Sequence, residues 1–207
     1  MGLQLQDMVA LFDAEVVEFD VVPIMLRLMK DPFSAVRLST ASQVGAVIKR
    51  LQAADNADAL QLLQTEIATL ARDASFNLRI VAAVAAHSAA SAGLLQFFKD
   101  HCLSCLLVLK ADKVQARSEC CVMCLLVWRV WLPCACACAC ACACACACAC
   151  ASAHGFNVQV RNVRLRVSGV FALLVRMGEP WCSLAGVHAS VAELKADGDA
   201  EVRMCIG

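Results

Sequence analysis

Apolar positions recur at helical spacing through the N-terminal half of the chain. Val36, Thr40, Val44, Val47 and Leu51 step by 4, 4, 3 and 4. Leu60, Leu63, Ile67 and Leu70 step by 3, 4 and 3. Each series draws one apolar stripe along a helix that must pack on a neighbour. The pattern predicts paired helices over 21–30 with 33–51, 58–71 with 75–92, and 95–110 with 113–131. A damaged pair ending in a helix over 157–177 comes next, followed by 182–195 with a second helix that runs to residue 207. A single hairpin cannot bury its stripe, whereas stacked hairpins can.

A short phrase punctuates these helices: a leucine, a basic residue, an aspartate, then a hydrophobic-Arg pair. One copy runs from Leu28 through Lys30, Asp31, Pro32 and Phe33 to Val36-Arg37. The second runs from Leu70 through Arg72 and Asp73 to Leu78-Arg79. The third joins Leu109-Lys110-Ala111-Asp112 to Arg117, one residue shorter between Asp and Arg. The last joins Leu194-Lys195-Ala196-Asp197 to Val202-Arg203. The arginines are spaced 42, 38 and 86 apart, and the last interval is close to two periods. Val160-Arg161 divides it into 44 and 42, Arg164 could serve instead, and this copy has no aspartate. A period near 40 lies in the range of HEAT and armadillo repeats. A basic residue suits the last turn of one helix, because the helix dipole is negative there. Asp is a good N-cap for the next helix, with Pro32 at its first position. The fold class expected is all-α, an α-solenoid of HEAT-type hairpins with about three intact repeats, one damaged and one truncated. The divisions expected are 1–132 for the intact repeats, 133–153 for a Cys-Ala tract, and 154–207 for the degenerate and truncated repeats.

The stretch Asp31-Pro32-Phe33-Ser34-Ala35-Val36-Arg37, with Val22-Pro23-Ile24 before it, resembles the HEAT signature. It is similar above all to the scaffold subunit of protein phosphatase 2A and the related regulatory subunit of protein phosphatase 4. Phe98-Lys99-Asp100-His101 also falls where that family begins a repeat. The resemblance covers roughly residues 16–127 and, less closely, 183–206. It implies a protein without an active site or cofactor. Its stacked turns would hold a phosphatase catalytic subunit and a substrate-specifying subunit. The compartment is read from the residues instead: cysteines confined to the chain beyond residue 101, and a start without a basic stretch and apolar core, lead us to expect the cytoplasm, with the nucleus as a second compartment. The resemblance also implies that Asp31, Asp73 and Asp197 bond to arginines of neighbouring repeats. Arg37, Arg79 and Arg203 match the arginine slot, and Asp112 with Arg117 match it through an altered turn. Plain helix capping by solvated charges and direct contact with a protein partner are the competing readings of these residues.

Composition changes the picture in one place. Of 16 cysteines, nine alternate with alanine from Cys134 to Cys150, and the first 101 residues contain none. That distribution argues against a secreted disulfide framework. Three readings of the tract stay open. An expanded tandem repeat specifies no structure. A thiolate site for zinc or copper is opposed by the absence of turn residues that would select four ligands. A membrane span over 120–153 is opposed by Arg129 and Pro133. The better metal candidates are Cys102, Cys105, Cys121 and Cys124, two Cys-x-x-Cys pairs 15 residues apart. Both pairs fall on apolar helical runs, which favours buried structural thiols.

Net charge is zero and tyrosine is absent, which argues against nucleic acid as a partner. Arg161, Arg164 and Arg176 could share part of one helix face with Arg166 lying away from it, and a solvated surface is the favoured reading. The sequence contains no glycine-rich phosphate loop, G-x-S-x-G elbow or H-E-x-x-H helix. His87, His101, His154 and His188 stand apart from one another, and His87 reads as a tolerated helix residue. The function expected is therefore a non-catalytic scaffold or regulatory subunit of a 2A/4-type phosphatase. A HEAT adaptor for transport or chromatin, or a cysteine-based metal-binding protein, are the alternatives.

Overall fold

A computed structural model describes residue 9, residues 11–110 and residues 161–207. All regular structure among the described residues is helical. The first rod, α1, is α-helical over Ala14–Val16, π-helical over Val17–Val21 and α-helical over Val22–Leu28. Then come α2 (Ser34–Ala41), α3 (Val44–Ala53), α4 (Ala57–Ala71) and α5 (Phe76–Ser91). The rod α6 repeats the construction of α1: α-helical over Leu95–Phe97, π-helical over Phe98–Cys102 and α-helical over Leu103–Lys110. A helix over 161–177, here α7, is followed by α8 (Val187–Lys195) and α9 (Ala200–Ile206).

These helices lie in two rows. In the first row α1 packs on α4, α4 on α6, and α6 on α8. In the second row α2 and α3 pack on α5. The Sγ of Cys205 in α9 lies 4.0 Å from the Leu165 carbonyl oxygen, which sets α9 beside α7. The chain forms two compact units, one of Met1–Ala111 with Val163–Gly207 and the other of Asp112–Asn162. The helix expected over 113–131 and the tract over 133–153 lie outside the described residues.

Burial follows one register in the second row. Counting from Arg37, Arg79 and Arg164, the third, fourth, seventh and tenth residues onward are buried in all three helices. In the first they are Thr40, Ala41, Val44 and Val47, and in the second Ala82, Ala83, Ala86 and Ala89. In the third they are Val167, Ser168, Phe171 and Leu174, each with no exposure. The helix ends agree with that register. Gly93 and Gly178 both stand fourteen residues after the arginine, at φ of 77° and 70°. Their N–H groups donate to Ala90 and Val175, each three residues back, at 2.9 and 3.2 Å. A left-handed residue closes a helix in this way, and glycine adopts that conformation without the Cβ clash other residues meet. Arg164 is therefore the arginine of α7, and Val160-Arg161 is out of register.

The helix expected over 33–51 is broken at Ser42 and Gln43. The Ser88 hydroxyl, from α5, enters the break. It accepts from the Gly45 N–H at 2.9 Å and donates to the Ser42 carbonyl at 2.7 Å. A polar group inserted into the backbone ladder is a recognised cause of helix bending. A Cβ at position 45 would stand 2.4 Å from the Ser88 carbonyl oxygen, so only glycine permits this crossing. On its other side α5 packs against α4, and its alanines keep both contacts close. It is buried nearly all round, as befits a helix with neighbours on several faces.

Candidate functional site

The three described copies of the phrase build the same turn between a first-row and a second-row helix. Asp31 Oδ1 accepts from the Phe33 N–H at 2.8 Å, Asp73 Oδ1 from Ser75 at 2.7 Å, and Asp197 Oδ1 from Asp199 at 2.8 Å. Six residues after each aspartate an arginine reaches back. Arg37 donates to the carbonyls of Asp31 and Pro32 at 2.7 and 2.9 Å. Arg79 donates to those of Asp73 and Ala74 at 2.9 and 2.8 Å. Arg203 donates to that of Asp197 at 2.6 Å. The aspartate folds the chain over and the guanidinium ties down carbonyls that the helix cannot satisfy. Charge-assisted bonds of this kind contribute about 1.5–3 kcal/mol when shielded, and less at the surface.

The capping expectation is corrected here. The N-cap residues are Phe33, Ser75 and Asp199, two residues beyond Asp31, Asp73 and Asp197. Pro32 precedes α2 rather than opening it, because α2 begins at Ser34. The aspartate oxygens are spent on the turn itself. Of the N-caps, Asp199 binds the Glu201 N–H at 2.9 Å, and ahead of α4 Asn56 accepts from Ala59 at 3.1 Å.

Bonds between neighbouring pairs also occur. Asp197 Oδ2 lies 3.2 Å from Arg164 Nε, with the two side chains 15% and 19% exposed. This joins the arginine of one second-row helix to the aspartate of the next turn. Among the described residues no ion pair joins Arg37 to Asp73. Asp112 and Arg117 lie outside the described residues. The first row has its own links, each made by the basic residue of the phrase. Lys30, just past α1, reaches Glu66 of α4 at 2.8 Å. Lys110, ending α6, reaches Glu193 of α8 at 2.9 Å and the Ser190 hydroxyl at 3.1 Å. Their signal in the sequence is weak: a lysine near one helix end and a glutamate in the next first-row helix.

The candidate thiols divide. Cys102 and Cys105 are both buried in α6. Burial, and for Cys102 the neighbouring Cys105, pushes the Cys102 thiol far above its ordinary range. Burial also raises Cys105. A metal needs thiolates, and this environment opposes their formation. Cys121 and Cys124 lie outside the described residues, as does the apolar run over 120–153. Among the described residues no group of three or more His, Cys, Asp or Glu is placed to hold a metal ion, and no helix is long and apolar enough to cross a membrane.

The remaining polar chemistry sits on the second row. His87 is exposed on α5, and its pKa is lowered by partial burial, then by Arg176, then by Arg166. The charges of these two α7 arginines reach His87. Arg166 and Arg176 are both exposed, while Arg164 is drawn off to Asp197, so the arginines of α7 do not divide as helix spacing suggested. The other histidines are apart: His101 stacks tilted on Phe97 at 5.1 Å, and His188 is exposed on α8.

No protein-family model, curated protein or solved structure matches this chain.

Proposed function

We propose that this protein is a HEAT-type α-solenoid acting as a non-catalytic scaffold or regulatory subunit of a serine/threonine phosphatase of the 2A/4 type. It would work in the cytoplasm, with the nucleus as a second compartment. The observation that carries the reading is the recurrent turn. Three aspartates and three arginines, each six residues apart, fold the same loop between the two rows. A turn repeated in one register produces a ridge of equivalent loops, which suits a long protein partner better than a small substrate. The resemblance of Asp31–Arg37 to the HEAT signature supplies the phosphatase. On this reading the protein has no chemistry of its own, and its mechanism is to hold a catalytic and a substrate-specifying subunit at a fixed spacing.

The test is direct binding of the full chain to a purified 2A- or 4-type catalytic subunit, followed by size-exclusion chromatography with light scattering. A one-to-one complex is the expected result. A folded helical chain that elutes apart from both catalytic subunits would remove the phosphatase assignment.

A further inference from the structure

Zero net charge conceals a division between the two rows. In the first row, α1 carries Glu15, Glu18 and Asp20, α4 carries Asp58 and Glu66, and α6 and α8 add Asp100 and Glu193. In the second row, α2, α3, α5 and α7 contain neither Asp nor Glu, and Glu201 of α9 is the carboxylate of that row among the described residues. The basic residues run the other way. Lys49, Arg166 and Arg176 are exposed on α3 and α7, and none of them forms an ion pair among the described residues.

The placement of these cations follows the buried stripes. Lys49 stands on α3, and Arg176 stands on α7, twelve residues after Arg164. At about 100° per residue Lys49 points away from the buried Val44, Val47, Ile48 and Leu51 of α3, and Arg176 away from the buried Val167, Ser168, Phe171 and Leu174 of α7. Arg166, two residues after Arg164, falls on the same outward side, as does His87, eight after Arg79. Ser39 and Ser91 are exposed on these helices and Ser42 between α2 and α3, and α2, α3, α5 and α7 themselves offer these cations no carboxylate among the described residues.

We propose that the outward face of the second row, marked by Lys49, Arg166 and Arg176, docks an acidic polypeptide segment of a protein partner. This rests on the scaffold reading and gives its partner a chemistry. A face of one sign along a row of parallel positions raises the local concentration of opposite charge and orients an approaching chain. A protein segment fits better than nucleic acid. The described helices of this face carry no Tyr or Trp on which bases could stack, and Phe171 of α7 is fully buried.

The experiment uses the full chain and a fluorescein-labelled twelve-residue poly-glutamate peptide, read by anisotropy at low and physiological salt. A poly-lysine peptide and an oligouridylate of equal length are run beside it. Binding of poly-glutamate that weakens with salt is expected, with no binding of poly-lysine. The triple variant Lys49→Glu, Arg166→Glu, Arg176→Glu should weaken it by about tenfold or more. A control reversal of three exposed first-row cations, Arg27→Glu, Lys99→Glu and Lys195→Glu, should leave it within about twofold. Circular dichroism establishes that both variants keep their helix content. No binding of poly-glutamate, equal losses in both variants, or tighter binding of oligouridylate would each overturn the proposal. Failure to bind a phosphatase with poly-glutamate binding intact would remove the phosphatase assignment alone.

Discussion

The first two helix pairs and a third set, α6 and α7, reach the two rows by different routes. In α1 with α2 and α3, and in α4 with α5, the two rows are joined by a short Asp–Arg turn. In the third, α6 ends at Lys110 and α7 is described from residue 161. Yet α6 still takes the first-row place between α4 and α8, and α7 carries the buried register of α2, α3 and α5. Both sides of the long connection come back to one place. Lys110 bonds Glu193 of α8, and Arg164 meets Asp197 just beyond it. The difference teaches that the register of small and large apolar residues selects a helix's neighbours, and chain continuity does not. A long segment between two helices adds little loop-closure cost if both helices still present their stripes.

The largest test of that comparison is Phe171→Ala. Phe171 has no exposure in α7, and its truncation is expected to cost about 3–5 kcal/mol in urea unfolding. Ile48→Ala in the contiguous first pair should cost a comparable amount, about 2–5 kcal/mol. A loss at Phe171 below about 1 kcal/mol, the range of surface changes, would mean that α7 is not part of the packed stack. A smaller effect compares two turns. Asp31→Ala removes one turn bond, while Asp197→Ala also strips Arg164 of its carboxylate. The first is expected to cost about 1 kcal/mol and the second about 1 kcal/mol more, measured in parallel denaturation. Equal costs would show that the Arg164 contact adds nothing.

The smallest effect concerns His87. Partial burial and the two arginines of α7 disfavour its charged form. Arg176→Gln is expected to raise the His87 pKa part of the way to its ordinary 6.5, followed by NMR of the imidazole resonances. The sign for stability follows. With the folded pKa depressed, the unfolded chain binds the proton more readily, so this site favours folding above pH 6.5 and loses that contribution as pH falls through the folded pKa. The variant should narrow that loss. An unmoved His87 would place Arg176 elsewhere than beside α5.

Much of the helix plan was readable from spacing alone. The stripe of Leu63, Ile67 and Leu70 is buried as its period demands. The expected helices over 58–71, 75–92 and 95–110 agree with α4, α5 and α6 to within a residue or so. The recurrence of Asp and Arg six apart was also legible, though not its use. Capping depends on which N–H an oxygen reaches, and a turn two residues longer than expected moved the cap from Asp31 to Phe33. The choice between Arg161 and Arg164 could not be made from a copy that lacks its aspartate. It needed the buried positions that follow and the partner at Asp197.

Amino-acid order by itself determined where helices form, which stripe each one buries, and where a glycine or an aspartate turns the chain. These are local consequences of helical period and backbone stereochemistry. Tertiary structure alone decided that Ser88 would break the helix beside Gly45 and that Lys110 would pair with Glu193. They join residues 43 and 83 positions apart. Only the packing of both rows together sets such a relation.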